Sequence, residues 1–160
     1  MTSNWWVAPF IVIVALAIMR IFYMFRARAM RGFASRLGFQ YIGPTAPPQW
    51  WWNTSHLQAP PPLPAWVSRL GVTQVWNIIE GKNDGMSVLV FDGIVGSFKS
   101  QPRTYIACET AQNPFGTGSS AYCVLEYDGW TVLHGVWFLW FSWIMGTKRL
   151  ADHLAELGTK

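Results

Sequence analysis

Three histidines, two cysteines and eight carboxylates are the side chains through which this sequence could do acid–base, nucleophilic or metal chemistry. The histidines, His56, His134 and His153, are far apart, and none has a Cys, Asp or Glu at a metal-ligand spacing such as H-E-x-x-H. His134 lies in an aromatic stretch. It reads either as an axial ligand for a haem or chlorin or as a hydrogen-bonded structural residue. Cys108 and Cys123 fall on expected strands with no base to activate them. In a reducing cytoplasm they should be reduced, buried and inert. The glycine-rich stretches at 93–96 and 116–118 match neither a phosphate loop nor a dinucleotide fingerprint, and turns explain them. Asp92 stands between an expected strand and Gly93, which suggests an Asx-turn more than a catalytic acid. No carboxylate pair or Ser/His/Asp set emerges, so the sequence points away from an enzyme. No resident cofactor is expected beyond a peripheral pigment or lipid contact.

The elements that would position these groups show first in the charge distribution. The 160 residues carry a net charge of +4, yet residues 1–79 hold six Arg and no Asp or Glu. Residues 80–160 hold eight acids against six Lys and Arg. Nucleic-acid binding would need a basic stripe on the folded domain, and that half of the chain is net acidic. Charged residues make up only 12% of the chain and hydrophobic ones 51%. Such a composition excludes disorder over most of its length.

Residues 5–25 are apolar except for Arg20 and, as a helix, would span roughly 30 Å, the hydrocarbon thickness of a bilayer. Residues 1–4 carry no charged side chain, whereas Arg26, Arg28, Arg31 and Arg36 follow the apolar run. This order is the reverse of a signal peptide. The positive-inside rule places the N-terminus outside and residues 26–160 in the cytoplasm. A single-pass protein of a bacterial inner membrane results, with Arg20 either snorkelling to the inner interface or making a buried contact with a partner. Residues 26–38 predict a basic juxtamembrane helix, stopped by Gly38. Its apolar face is Met30, Phe33, Ala34 and Leu37, and its arginines can meet anionic headgroups.

The remainder, residues 39–160, reads as an α+β domain. Strands are expected at 39–42, 72–79, 86–91, 104–109, 121–127 and 130–133, with turn chemistry at 81–85 and at Asp128-Gly129. A C-terminal helix is expected at 147–157. Consecutive hairpins imply an antiparallel sheet, and either a pleckstrin-like barrel or an open sheet fits. Residues 44–66 form a Pro/Trp-rich loop containing Trp50, Trp51 and Trp52. Its rings either fold back toward the domain or headgroups, or dock a partner. A second aromatic run, with Trp137, Trp140 and Trp143, holds no formal charge and suggests exposure to lipid or to another subunit.

Some motifs also follow a familiar order. Arg36-Leu37-Gly38-Phe39-Gln40-Tyr41-Ile42-Gly43 follows the basic helix. Asn77-Ile78-Ile79-Glu80-Gly81 precedes Asn83-Asp84-Gly85, then come Val88-Leu89-Val90-Phe91-Asp92 and Gly129-Trp130-Thr131-Val132-Leu133. Over most of residues 25–157 this order resembles a group of small bacterial single-pass membrane proteins with no assigned activity. The resemblance implies an anchored α+β domain and supplies no catalytic residues. The Trp-rich segments depart from it. The function expected is therefore that of a non-enzymatic accessory subunit in a larger membrane complex, of respiratory or photosynthetic type. Its partners would be other integral membrane subunits and anionic lipid. The alternative is a standalone membrane-anchored module that binds a lipid or peptide.

Overall fold

The computed structural model describes residues 6–43, 63–96, 103–110 and 122–135. The Trp50–52 loop, Trp137, Trp140, Trp143 and the expected helix at 147–157 lie outside the described residues.

Helix α1 runs unbroken over Val7–Leu37. Its first half is an apolar run whose large side chains are exposed, among them Phe10, Ile13, Ile18 and Ile21. By length and composition it could cross a membrane. Its second half is amphipathic, and Tyr23, Arg26, Ala27, Met30, Phe33 and Ala34 are buried. The helix stops at Gly38, whose φ of 70° is the left-handed value a glycine adopts without a Cβ penalty. Gly38 donates its N–H to the Ser35 carbonyl and Phe39 to that of Ala34, the double bond pattern that closes a helix C-terminus.

After α1 come strand β1 (Gln40–Tyr41), a short helix α2 (Ala65–Arg69), and strands β2 (Val72–Asn83), β3 (Met86–Val95), β4 (Arg103–Glu109), β5 (Tyr122–Tyr127) and β6 (Trp130–Gly135). They form one antiparallel sheet in the order β1-β2-β3-β4-β6-β5. Among the described residues the sheet is open. The hairpins β2–β3 and β5–β6 turn at Asp84-Gly85 and Asp128-Gly129. All four of these residues have positive φ, as a two-residue hairpin turn of matching twist requires. The first turn is tighter than the five-residue one read from sequence, because β2 continues through Gly81 to Asn83.

Both faces of the sheet are covered. Met30, Phe33 and Ala34 of α1 pack against Ile79, Val88, Val90, Ile106, Cys108 and Leu133 on one face. Trp66 and Val67 of α2 pack with Ile78, Leu89, Phe91, Tyr105, Ala107 and Val132 on the other. Burial on both faces explains why β3 reads as a continuous apolar run rather than an alternating one. A third, smaller cluster joins Tyr23 of α1 to Trp76 and Ile94. Because Tyr23 is the buried residue closest to the exposed apolar half of α1, this end of the sheet faces the membrane-length segment. The Asp84-Gly85 turn lies at the other end.

Spacing groups Leu37 with Met30, Phe33 and Ala34, yet Leu37 is 41% exposed, because the helix ends at Gly38 before that position is covered. Phe33→Ala should therefore cost about 3–5 kcal/mol of stability. Leu37→Ala should stay within about 0.5 kcal/mol. Thermal unfolding followed by circular dichroism in detergent micelles checks the contrast, and equal losses would place the core elsewhere.

Candidate functional site

The polar residues that the fold brings together lie under α1, in the middle of the sheet. Asp92 is fully buried inside β3, and the Arg26 side chain is 3% exposed. Arg26 donates from Nε to Asp92 Oδ2 at 3.1 Å and from Nη2 to Oδ1 at 3.0 Å. Nη2 also reaches Thr104 Oγ1 at 2.8 Å. The Thr104 hydroxyl donates in turn to Asp92 Oδ1 at 2.7 Å, and Asn77 Nδ2 donates to Oδ2 at 2.8 Å. Tyr41 completes the chain, its hydroxyl donating to Asn77 Oδ1 at 2.7 Å.

Local backbone features deliver these groups. The register of β2 against β3 passes from Trp76↔Asp92 to Ile79↔Val90, so two residues of β2 oppose one of β3. Asn77 occupies this bulge at φ 50°, a conformation Asn tolerates better than most residues. The bulge turns the Asn77 amide onto the carboxylate. Gly93 keeps β2 and β3 close beside Asp92. A Cβ there would meet Val72 Cγ1 at 2.9 Å and the Gln74 carbonyl oxygen at 3.2 Å.

Asp92 is not an Asx-turn residue, because β3 runs on through Gly93 to Val95 and the carboxylate sits in the sheet interior. Arg26 does not present its guanidinium to solvent or headgroups, because that group is buried against Asp92. An ionised carboxylate has about four acceptor sites, and Asp92 fills four, which leaves none for a substrate. The arrangement holds two elements together and has no free group for acid–base work.

The other candidates are placed separately. Arg28, Arg31 and Arg36 are exposed on α1. Arg31 lies over the Tyr41 ring at 5.0 Å, and Arg36 Nε donates to the Gly32 carbonyl at 3.2 Å. Burial pushes the Tyr41 hydroxyl up to about 12 against the opposing pull of Arg31. Cys108 is buried on the α1 face, and burial pushes its thiol up to about 12. Among the described residues no group of three or more His, Cys, Asp or Glu side chains could hold a metal ion.

His134 is in β6, directly opposite Tyr105 of β4, on the α2 face of the sheet. The two rings lie 5.7 Å apart, and Tyr105 stacks on Phe91 at 4.9 Å. Both are buried; His134 Nδ1 has no hydrogen-bond partner among the described residues, and Arg103 is the neighbour of the Tyr105 hydroxyl. Burial, and secondarily the charge of Arg103, hold His134 below the usual 6.5. Sequence reasoning singled out His134 but missed Arg103, Tyr105, Asn77 and Thr104. The polar residues inside otherwise apolar strands were the available signal.

Compared with protein families, curated proteins and solved structures, the chain matches none. Fold and site together define a class: an α+β domain built on the second half of a helix whose first half is of membrane length.

Removing one partner from a buried ion pair leaves the other charge unpaired. Asp92→Ala should therefore destabilise by about 3–5 kcal/mol, and Arg26→Met with Asp92→Leu should recover most of that. A wild-type unfolding midpoint for Asp92→Ala would show that the pair holds nothing. The lowered value at His134 has its own sign. Between the folded value and 6.5 the unfolded chain binds more protons, so stability is full above 6.5 and falls as the pH drops below it. The unfolding midpoint should fall between about pH 7.5 and about pH 5.5, and less steeply in His134→Gln. Identical slopes would remove His134 from the cause.

Proposed function

We propose that this chain is a non-enzymatic accessory subunit of a larger bacterial membrane complex. It crosses the inner membrane once, N-terminus outside, and holds its α+β domain against the cytoplasmic face. The observation that carries the reading is that one unbroken helix, Val7–Leu37, is both the membrane-length segment and the core helix of the domain. A module that searches for soluble ligands gains from a flexible tether. Here the domain follows every tilt and rotation of its anchor, which suits a part that must meet fixed neighbours.

Two further features support it. Apart from Arg20, the exposed face of α1 from Val7 to Phe25 is apolar and offers a surface for lipid or for neighbouring helices. Strand β6 ends at Gly135 on the rim of the sheet nearest the membrane-length half of α1, shortly before Trp137, Trp140 and Trp143 in sequence. Those rings, with Trp50, Trp51 and Trp52, are the proposed partner interface, since large aromatic side chains dominate binding energy at interfaces. A respiratory or photosynthetic assembly is the kind of host proposed, because such complexes present wide apolar surfaces between helices. The Arg103, Tyr105 and His134 cluster favours the second reading, a lipid- or peptide-binding module.

Native membranes solubilised in mild detergent test the proposal. The untagged protein should migrate within one large stoichiometric complex. Trp137→Ala with Trp140→Ala should release it while its circular dichroism stays native. Migration of the wild type as a free monomer would overturn the reading.

A further inference from the structure

Arg103, Tyr105 and His134 share one face of the sheet: Tyr105 is opposite His134, and Arg103 lies two residues along β4 from Tyr105. Arg103 pairs with Gly93, one residue beyond the Asp92–Thr104 pair, on the side of Ile94. Ile94 and Trp76 touch Tyr23, so this is the rim nearest the membrane-length half of α1. Arg26 follows Phe25 by one residue, about 1.5 Å along the helix axis. It is bonded to Thr104, the neighbour of Arg103. If α1 crosses the bilayer with its apolar run in the hydrocarbon, Arg103 stands at the depth of lipid headgroups.

The chemistry of the cluster matches that depth. Tyr105 is 1% exposed and His134 8%; His134 Nδ1 is buried without a partner among the described residues, and the Tyr105 hydroxyl has Arg103 as its neighbouring donor. A buried polar atom left unsatisfied is costly, so such a group usually awaits a ligand, a water or another part of the protein. The half-exposed Arg103 acts on both groups and connects them to the surface. A phenol, an imidazole and a guanidinium can together donate to an oxyanion with several acceptor oxygens. The guanidinium also supplies the opposite charge in planar, forked form. Asp92 is the buried carboxylate nearest in register, and its acceptor sites are taken up by Arg26, Thr104 and Asn77, on the α1 face of the sheet.

We propose that Arg103, Tyr105 and His134 bind a phosphate-type anion at the membrane-facing rim of the sheet. The source is either a lipid phosphate group or free phosphate, and the proposal is independent of membership in a complex.

The full-length protein, labelled with ¹⁵N-histidine, is titrated in two arms. One uses nanodiscs of phosphatidylcholine with increasing phosphatidic acid. The other uses inorganic phosphate in a micelle of uncharged detergent. The His134 signals are assigned by their loss in His134→Gln. A saturable shift of the His134 nitrogens in either arm supports the site, and the arm that responds identifies the source. Arg103→Gln should weaken the apparent affinity roughly tenfold to hundredfold, since one charge-assisted contact is lost. Its position at a strand end, half exposed, makes it suited to a folded variant, and circular dichroism verifies that. Absence of a shift in both arms would overturn the site, and so would an unchanged affinity in Arg103→Gln. In the first case His134 Nδ1 is satisfied from within the chain.

Discussion

The ion pair between Arg26 and Asp92 sets how everything else in this molecule is arranged. Arg26 is the first charged residue after Phe25, where the helix leaves its apolar run, and Asp92 is the one carboxylate within the apolar strand β3. Both are stripped of water, and leaving either without the other would bury an uncompensated polar group at high cost. Their forked contact needs the helix at one rotation and one depth. A shift of one residue turns a helix by about 100° and would carry the guanidinium off the strand. The closing turn at Gly38 and the short strand β1 then follow along the chain. A buried pair is weak evidence of stability, since an apolar substitute can be as stable. What this one supplies is a unique register between anchor and sheet.

The pair in turn depends on irregularities in the sheet. A regular β2 would keep the strict alternation of faces, without the extra residue that places the Asn77 amide on Asp92. The bulge adds that residue and places Asn77 at positive φ, a local strain on the order of 1–3 kcal/mol for a non-glycine residue. Hydrogen bonds to Asp92 and from Tyr41 offset it. Tyr41 belongs to β1 and stacks under Arg31 of α1, so helix, edge strand and central strand close on one polar centre. The carboxylate's saturation makes this centre a fastener rather than a reactive site.

How much of this could be read from the sequence differs by element. Helix periodicity identified Met30, Phe33 and Ala34, and the two Asp-Gly turns identified both tight hairpins, because each signal is local. The same periodicity extends back four residues from Met30 to Arg26. The charge of Arg26, beside three other arginines, made it look like a headgroup contact. Asp92 was misread because Gly93 and Gly96 resemble a turn, when Gly93 is small so that β2 can approach. The Tyr105–His134 pair was out of reach. Its members are brought together by the register of β4 against β6, which depends on pairings across the whole sheet rather than on either segment.

The remaining arginines divide by height once the helix is known to be continuous. On the proposed orientation Arg28 lies about 4.5 Å beyond Phe25 along the axis, Arg31 about 9 Å and Arg36 about 16 Å. The headgroup layer on each side of a bilayer is roughly 5–8 Å deep. Arg28 falls inside it, and Arg31 can reach back to it while its guanidinium covers Tyr41. Arg36 is too far along an upright helix. It bonds instead to the Gly32 carbonyl in the last turn, where a cation meets the negative end of the helix dipole. A cluster that looks uniform in sequence thus does three jobs. Arg26 fixes the sheet to the helix, Arg36 bonds back onto the last turn, and on the proposed orientation Arg28 and Arg31 would face the lipid boundary.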